Sequence, residues 1–198
     1  MNSLIDRREA LRKTAMLMGA AVSASTVAAF LYSCKTRPDL TYKPVFFNED
    51  QALLISEAAE IIIPKTDTPG AKDVGVPNFI DTLVKDCYKE EEQKKFLEGL
   101  NEFNQNATKE FGKRFIEGSS EQQQSYLKKI HDEAVNAKKA DPKKENPFIL
   151  KLKELTLLGF FTSEPGATQV LQYIAVPGSY KGCIPLKEAG NGKAWATS

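Results

Sequence analysis

From Asn48 to Phe161, apolar side chains recur every three or four residues in five successive runs, and nowhere do they alternate for more than a few positions. That spacing puts them on one face of a helix, and a chain made of such runs must bury the faces against one another. Asn48 and Gln51 have the spacing of a capping box; Leu53, Leu54, Ala58, Ile61 and Ile62 follow on one broad face until Pro64 stops the helix. A second helix starts near Pro77 and carries Phe79, Ile80, Leu83, Val84 and Cys87, and a third runs through Phe96, Leu97, Leu100, Phe103, Ala107 and Phe111. Ser120 announces a fourth, with Tyr126, Leu127, Ile130 and Ala134 facing inward. Asn146 and Pro147 form a cap and first-turn pair for a fifth, the most apolar, through Phe148, Ile149, Leu152, Leu155, Leu158 and Phe161. After Gly166 a short helical piece reaches Tyr173, and an irregular tail follows. The pattern predicts an all-α fold, a compact helical bundle with an extended, non-helical C-terminal segment, its domain spanning 48–186 and a tail 187–198.

The stretch before the domain reads differently. Arg7, Arg8, Leu11 and Arg12 resemble the recognition pattern of a twin-arginine export signal, and Ala15 to Ser33 carries no charge. About 20 apolar residues can also span a bilayer as a permanent anchor. This run, however, is rich in Ala, Ser, Thr and Gly, which supply far less transfer energy than Leu or Ile, so a cleaved signal over 1–33 is the reading adopted. Leu31-Tyr32-Ser33-Cys34 resembles a lipobox, which makes Cys34 the lipidated residue and 34–47 a tether. Each buried methylene of an acyl chain contributes roughly 0.8 kcal/mol, so two or three chains would hold the protein on a membrane. The expected location is the periplasm, membrane-anchored in the cell envelope, reached through the twin-arginine translocase.

Charge and chemistry exclude several classes. Past residue 33 the chain has 23 basic and 24 acidic side chains, with lysines interleaved among glutamates, so there is no basic stripe for nucleic acid. His131 is the only histidine and lies among Lys128, Lys129, Asp132 and Glu133, the composition of a solvated helix face. A His-based metal site is thereby excluded, and no glycine-rich dinucleotide fingerprint or haem-attachment motif is present. Neither a catalytic residue nor a cofactor-binding or metal-binding residue is assigned. With Cys34 lipidated, Cys87 and Cys183 remain; Cys87 falls on an apolar helical side and is expected in the core. Cys183, between Gly182 and Pro185, is expected exposed. Pairing of the two with each other stays open.

Two longer stretches carry a family resemblance. Ile62-Ile63-Pro64, then Thr66-Asp67-Thr68-Pro69-Gly70-Ala71-Lys72-Asp73, Gly75-Val76-Pro77 and Phe79-Ile80-Asp81 resemble the N-terminal signature of the gluconate 2-dehydrogenase subunit 3 family. Phe160-Phe161-Thr162-Ser163-Glu164 with Gly166, and Leu171, Tyr173, Val176-Pro177-Gly178, Tyr180 and Gly182-Cys183 resemble its C-terminal half. The resemblance implies a small accessory subunit without a cofactor of its own. Its partner would be a large FAD-binding dehydrogenase subunit of the glucose/methanol/choline class, acting on a sugar, sugar acid or polyol. In many such complexes a cytochrome subunit takes the electrons onward.

On this reading Thr66, Asp67, Thr68, Pro69 and Gly70, in a proline-stiffened loop, and Tyr173, Pro177, Gly178, Tyr180 and Cys183, in the tail, are the expected partner interface, with Cys183 a candidate for an interchain disulfide. The alternative is that both segments merely pack on their own bundle. A lipid-anchored binding or scaffold protein with no dehydrogenase partner is the competing function.

Overall fold

The computed structural model describes residues 40–143, 145–176, 178–179, 182–185, 187–188 and 192–196. Five α-helices form the body: α1 Glu49–Ile62, α2 Val76–Cys87, α3 Glu90–Phe111, α4 Ser120–Ala140 and α5 Phe148–Phe161. A 3₁₀ turn, Phe115–Glu117, joins α3 to α4, and a π-turn, Gly166–Val170, follows α5. Past Leu171 the backbone is irregular, apart from residues 187–188 and one parallel bridge between Gln172 and Trp195. The all-α architecture is as the periodicity predicts, and among the described residues no helix is long and apolar enough to cross a membrane.

Helix α5 packs against each of the other four helices. A helix in that position buries most of its surround, which is why apolar residues dominate its sequence, with Glu154 and Leu158 left exposed. Ile149, Leu152, Leu155 and Phe160 are buried on it, and Phe148 at its start meets Phe96 and Phe103 of α3 at ring-centroid distances of 5.1 and 5.9 Å. Phe103 continues the chain of rings to Phe115 and Tyr126, both edge-on at 4.9 and 5.2 Å. Gly159 lets α2 close on α5: a Cβ there would lie 2.6 Å from Cδ1 of Phe79.

Local boundaries depart from the sequence reading in three places. The capping box at α1 is present as expected, with Asn48 and Gln51 satisfying each other's backbone amides at 2.9 and 3.1 Å. At α4, however, the cap is Ser119, not Ser120, because Gln122 reaches back to the Ser119 amide and completes the box one residue earlier. At α5 Pro147 itself takes the cap position, with no side-chain cap. Cys87, assigned to the core, is exposed. It is the last residue of α2, and the chain turns there so that Tyr88, not Cys87, packs on Phe96, at 6.2 Å. Gln93 holds that turn by donating to the carbonyls of Val84, Lys85 and Tyr88.

Candidate docking surface

A strap precedes α1. Residues Leu40 to Phe47, the end of the segment assigned to the tether, pack on the bundle, with Phe47 buried and Leu40, Tyr42 and Phe46 half-buried against the core. Its fastening is Asp81, a fully buried carboxylate of α2. Asp81 accepts from the backbone amides of Val45 at 2.6 Å, Phe46 at 3.1 Å and Phe47 at 2.9 Å. A buried carboxylate is tolerated only when its lone pairs are taken up, and three consecutive amides do so here. Tyr42 adds a second fastening by donating to the Pro77 carbonyl at 3.2 Å. Burial, and next the charge of Asp81, push its phenol far above the ordinary value.

The loop between α1 and α2 is folded back on the last turns of α1. Glu60 accepts from the amides of Lys65 at 3.0 Å and Lys72 at 2.9 Å, so one side chain closes both ends of the loop. The Lys72 ammonium pairs with Glu57 at 2.6 Å, and the Ala71 amide donates to the Ile63 carbonyl at 2.9 Å. Asp73 pairs with Lys65 at 3.0 Å and accepts from the Gly70 amide at 3.2 Å, and the Lys65 hydrogen bond, more than that amide, lowers its carboxyl pKa.

Of the expected interface residues, Thr66 and Asp67 are exposed at the tip, while Thr68 and Pro69 are half-buried. Gly70 is buried, and a Cβ on it would meet Oε1 of Glu60 at 2.3 Å. Gly70 therefore serves the packing of the loop on its own helix, and the surface it was expected to offer belongs to Thr66 and Asp67.

The C-terminal segment presents apolar area. Tyr173, Ile174, Val176, Ile184 and Trp195 are all exposed, Val176 to 82%. The Gln172 amide donates to the Ala194 carbonyl and the Ala196 amide to the Gln172 carbonyl, both at 2.8 Å, and these two bonds bring Trp195 back beside this segment. Gly178 and Cys183 are exposed, as expected. Since Cys87 is exposed as well, the two thiols no longer differ in burial. Pro177 and Tyr180 lie outside the described residues, as do Arg7, Arg8, Leu11, Arg12 and Cys34.

A groove of about 620 Å³ separates the end of α1 from α4 and α5, opening beside Pro64 at the base of the signature loop. His131 lines it and is half-buried, not on an open helix face as its neighbours in sequence suggested. Its Nε2 lies 3.0 Å from the Lys153 ammonium and its Nδ1 3.3 Å from Asp132. An ammonium can only donate, so Nε2 accepts and Nδ1 carries the proton.

Sequence reasoning missed Asp81, Glu60, Lys153 and Trp195 as working parts. Asp81 had left a signal, since it interrupts an inward stripe of Pro77, Ile80 and Val84 with a charge. Trp195 had none, because a single bridge has no periodicity.

Among the described residues no group of three or more His, Cys, Asp or Glu side chains is placed to hold a metal ion. The family model described as gluconate 2-dehydrogenase subunit 3 matches residues 49–178. Comparisons with curated proteins and with solved structures find no match.

Proposed function

The chain belongs to the gluconate 2-dehydrogenase subunit 3 family and is thus an accessory subunit of a dehydrogenase complex, and from that membership we propose its finer role. It is the non-catalytic small subunit of a periplasmic, membrane-associated dehydrogenase of the glucose/methanol/choline class, which oxidises a sugar, sugar acid or polyol. The flavin is carried by the large subunit, and this chain aids its folding, travels with it through the twin-arginine route and anchors it through Cys34. A cytochrome subunit is the expected electron acceptor.

The observation that carries the reading is the exposure of five large apolar side chains in the C-terminal segment, Tyr173, Ile174, Val176, Ile184 and Trp195. Apolar side chains in this density on irregular backbone suit a surface that is covered in the assembled state. The rigid loop tip at Thr66 and Asp67 offers a second contact that loses little entropy on docking.

Every residue of the buried apolar core precedes Gly166, so this segment is separable from the fold. A chain ending at Leu171 is expected to keep its helical circular-dichroism spectrum while failing to co-purify with the large subunit. Unimpaired co-purification of the truncated chain would remove the segment from the interface. Replacing Arg7 and Arg8 by lysine tests the export role: both subunits should stay in the cytoplasm, and continued export of the large subunit would refute co-transport.

A further inference from the structure

The groove between α1, α4 and α5 holds a charge imbalance. On its acidic wall one carboxylate is charge-paired from within and the other has both oxygens engaged by backbone amides, so neither is free to pair across the groove. Glu57 is paired with the Lys72 ammonium at 2.6 Å, and both oxygens of Glu60 are taken by the amides of Lys65 and Lys72. The opposite wall is different. Lys153 is half-buried, and its ammonium donates to the imidazole Nε2 of His131, which satisfies one of its three donors. Among the described residues no carboxylate stands within ion-pair distance of Lys153 or of Lys128, which shares the groove. Ser120, in the N-terminal turn of α4, also lines the groove, where the helix dipole adds positive potential.

Apolar side chains of Ile61, Ile62 and Leu127 lie between the two walls. The cavity thus asks for a ligand with an anionic head on an apolar stem. Exposed Pro64, at the base of the signature loop, is among its lining residues, so the groove and the loop are neighbouring surfaces.

We infer that the groove receives a carboxylate side chain of the large dehydrogenase subunit, with Lys153 as the half-buried anchor and Lys128 at the lip. This rests on the subunit reading above. An ammonium held in a partly desolvated groove gains from a carboxylate what it lacks in the free chain, and such pairs fix register and partner choice. The arrangement fits a protein segment better than a free small anion, because the apolar floor is useful only to a ligand that also brings apolar atoms.

The test measures the dissociation constant between the full chain and a candidate flavin-binding large subunit. Reversing both charges, Lys153→Glu with Lys128→Glu, is expected to weaken binding at least tenfold. Reversing Lys94 and Lys109, which do not line the groove, should leave it within twofold. Lys153→Met serves as a second variant that keeps the side-chain length without the charge, and it should lose most of the same affinity; its thermal melt is recorded to show that the fold is retained. Wild-type chain that binds no large subunit would defeat the subunit reading itself. Wild-type binding with groove variants unchanged would overturn the groove assignment alone. Self-association of the full chain that disappears in the groove variants would put a second copy there and overturn it as well.

Discussion

Asp81 does more than any other side chain to define where this domain begins. Without it the amides of Val45, Phe46 and Phe47, the last of them buried, would lose their acceptor, and the strap that carries Phe47 against Phe96, whose ring lies 5.8 Å away, would be held by apolar packing and the Tyr42 hydrogen bond alone. Hydrogen bonds to a charged acceptor are worth roughly 1.5–3 kcal/mol each, and an orphaned buried donor costs a similar amount. Asp81→Asn keeps the size but offers one acceptor oxygen and sets an NH₂ against an amide donor. The expected loss is on the order of 3 kcal/mol, read as a lower urea midpoint, with hydrogen exchange accelerated first at Val45 to Phe47. An unchanged midpoint would mean that the strap contributes nothing to the fold. Glu60 is the corresponding closure for the signature loop, so Glu60, Asp73 and Asp81 act as structural fasteners, and the exposed tip of the loop is left to Thr66 and Asp67.

Among the elements, α5 sets the arrangement, and the close approach of α2 to it depends on Gly159. A Cβ 2.6 Å from Phe79 cannot be accommodated without moving the ring or the helix. Overpacking of this kind costs about 1–3 kcal/mol, and Gly159→Ala is expected to lower the thermal midpoint by that measure; a neutral or stabilising result would mean that α2 and α5 have slack between them. The helices themselves were legible in the sequence because 3.6-residue periodicity records which face is buried. That record stops where a helix does: Cys87 lies on the apolar stripe of α2, yet the helix ends there and Tyr88 takes the inward place. His131 looked solvated from its charged neighbours, but its surroundings come from α1 and α5, which no local window contains. Tyr126 illustrates packing between elements with a measurable consequence. Its hydroxyl donates to the Phe103 carbonyl at 2.8 Å, and burial, then the nearby Glu110, push its phenol from 10.0 up to about 12. The unfolded chain ionises first, so this contribution to stability is whole below pH 10 and is lost as pH rises to about 12. Absorbance titration should find Tyr126 still protonated at pH 11; normal titration in a Tyr126-only background, with the fold retained, would refute the burial argument.

At the scale of the whole molecule, the strap would set how far the domain can stand from a membrane held through Cys34. The described chain starts at Leu40 and is fastened from Tyr42 to Phe47, so only a short run separates a lipidated Cys34 from the fold. An extended chain covers at most about 3.3–3.6 Å per residue, which puts Thr41 within roughly 25 Å of the cysteine backbone. Anchoring through Cys34 would therefore keep the strap and the neighbouring end of α2 close to the lipid surface, and a large subunit docked on the domain would share that restraint. A nitroxide on Thr41→Cys, in a chain with Cys87 and Cys183 replaced by serine, should show strong relaxation by a paramagnetic lipid headgroup in vesicles. Release of the strap by Asp81→Asn should broaden the distance distribution, because up to eight more residues then separate the fold from Cys34. Preventing lipidation with Cys34→Ala should abolish the effect and free the protein from the vesicles. A Thr41 label that senses no headgroup while the protein stays vesicle-bound would mean that the membrane is held by some other part of the chain, and the anchoring role of Cys34 would fall with it.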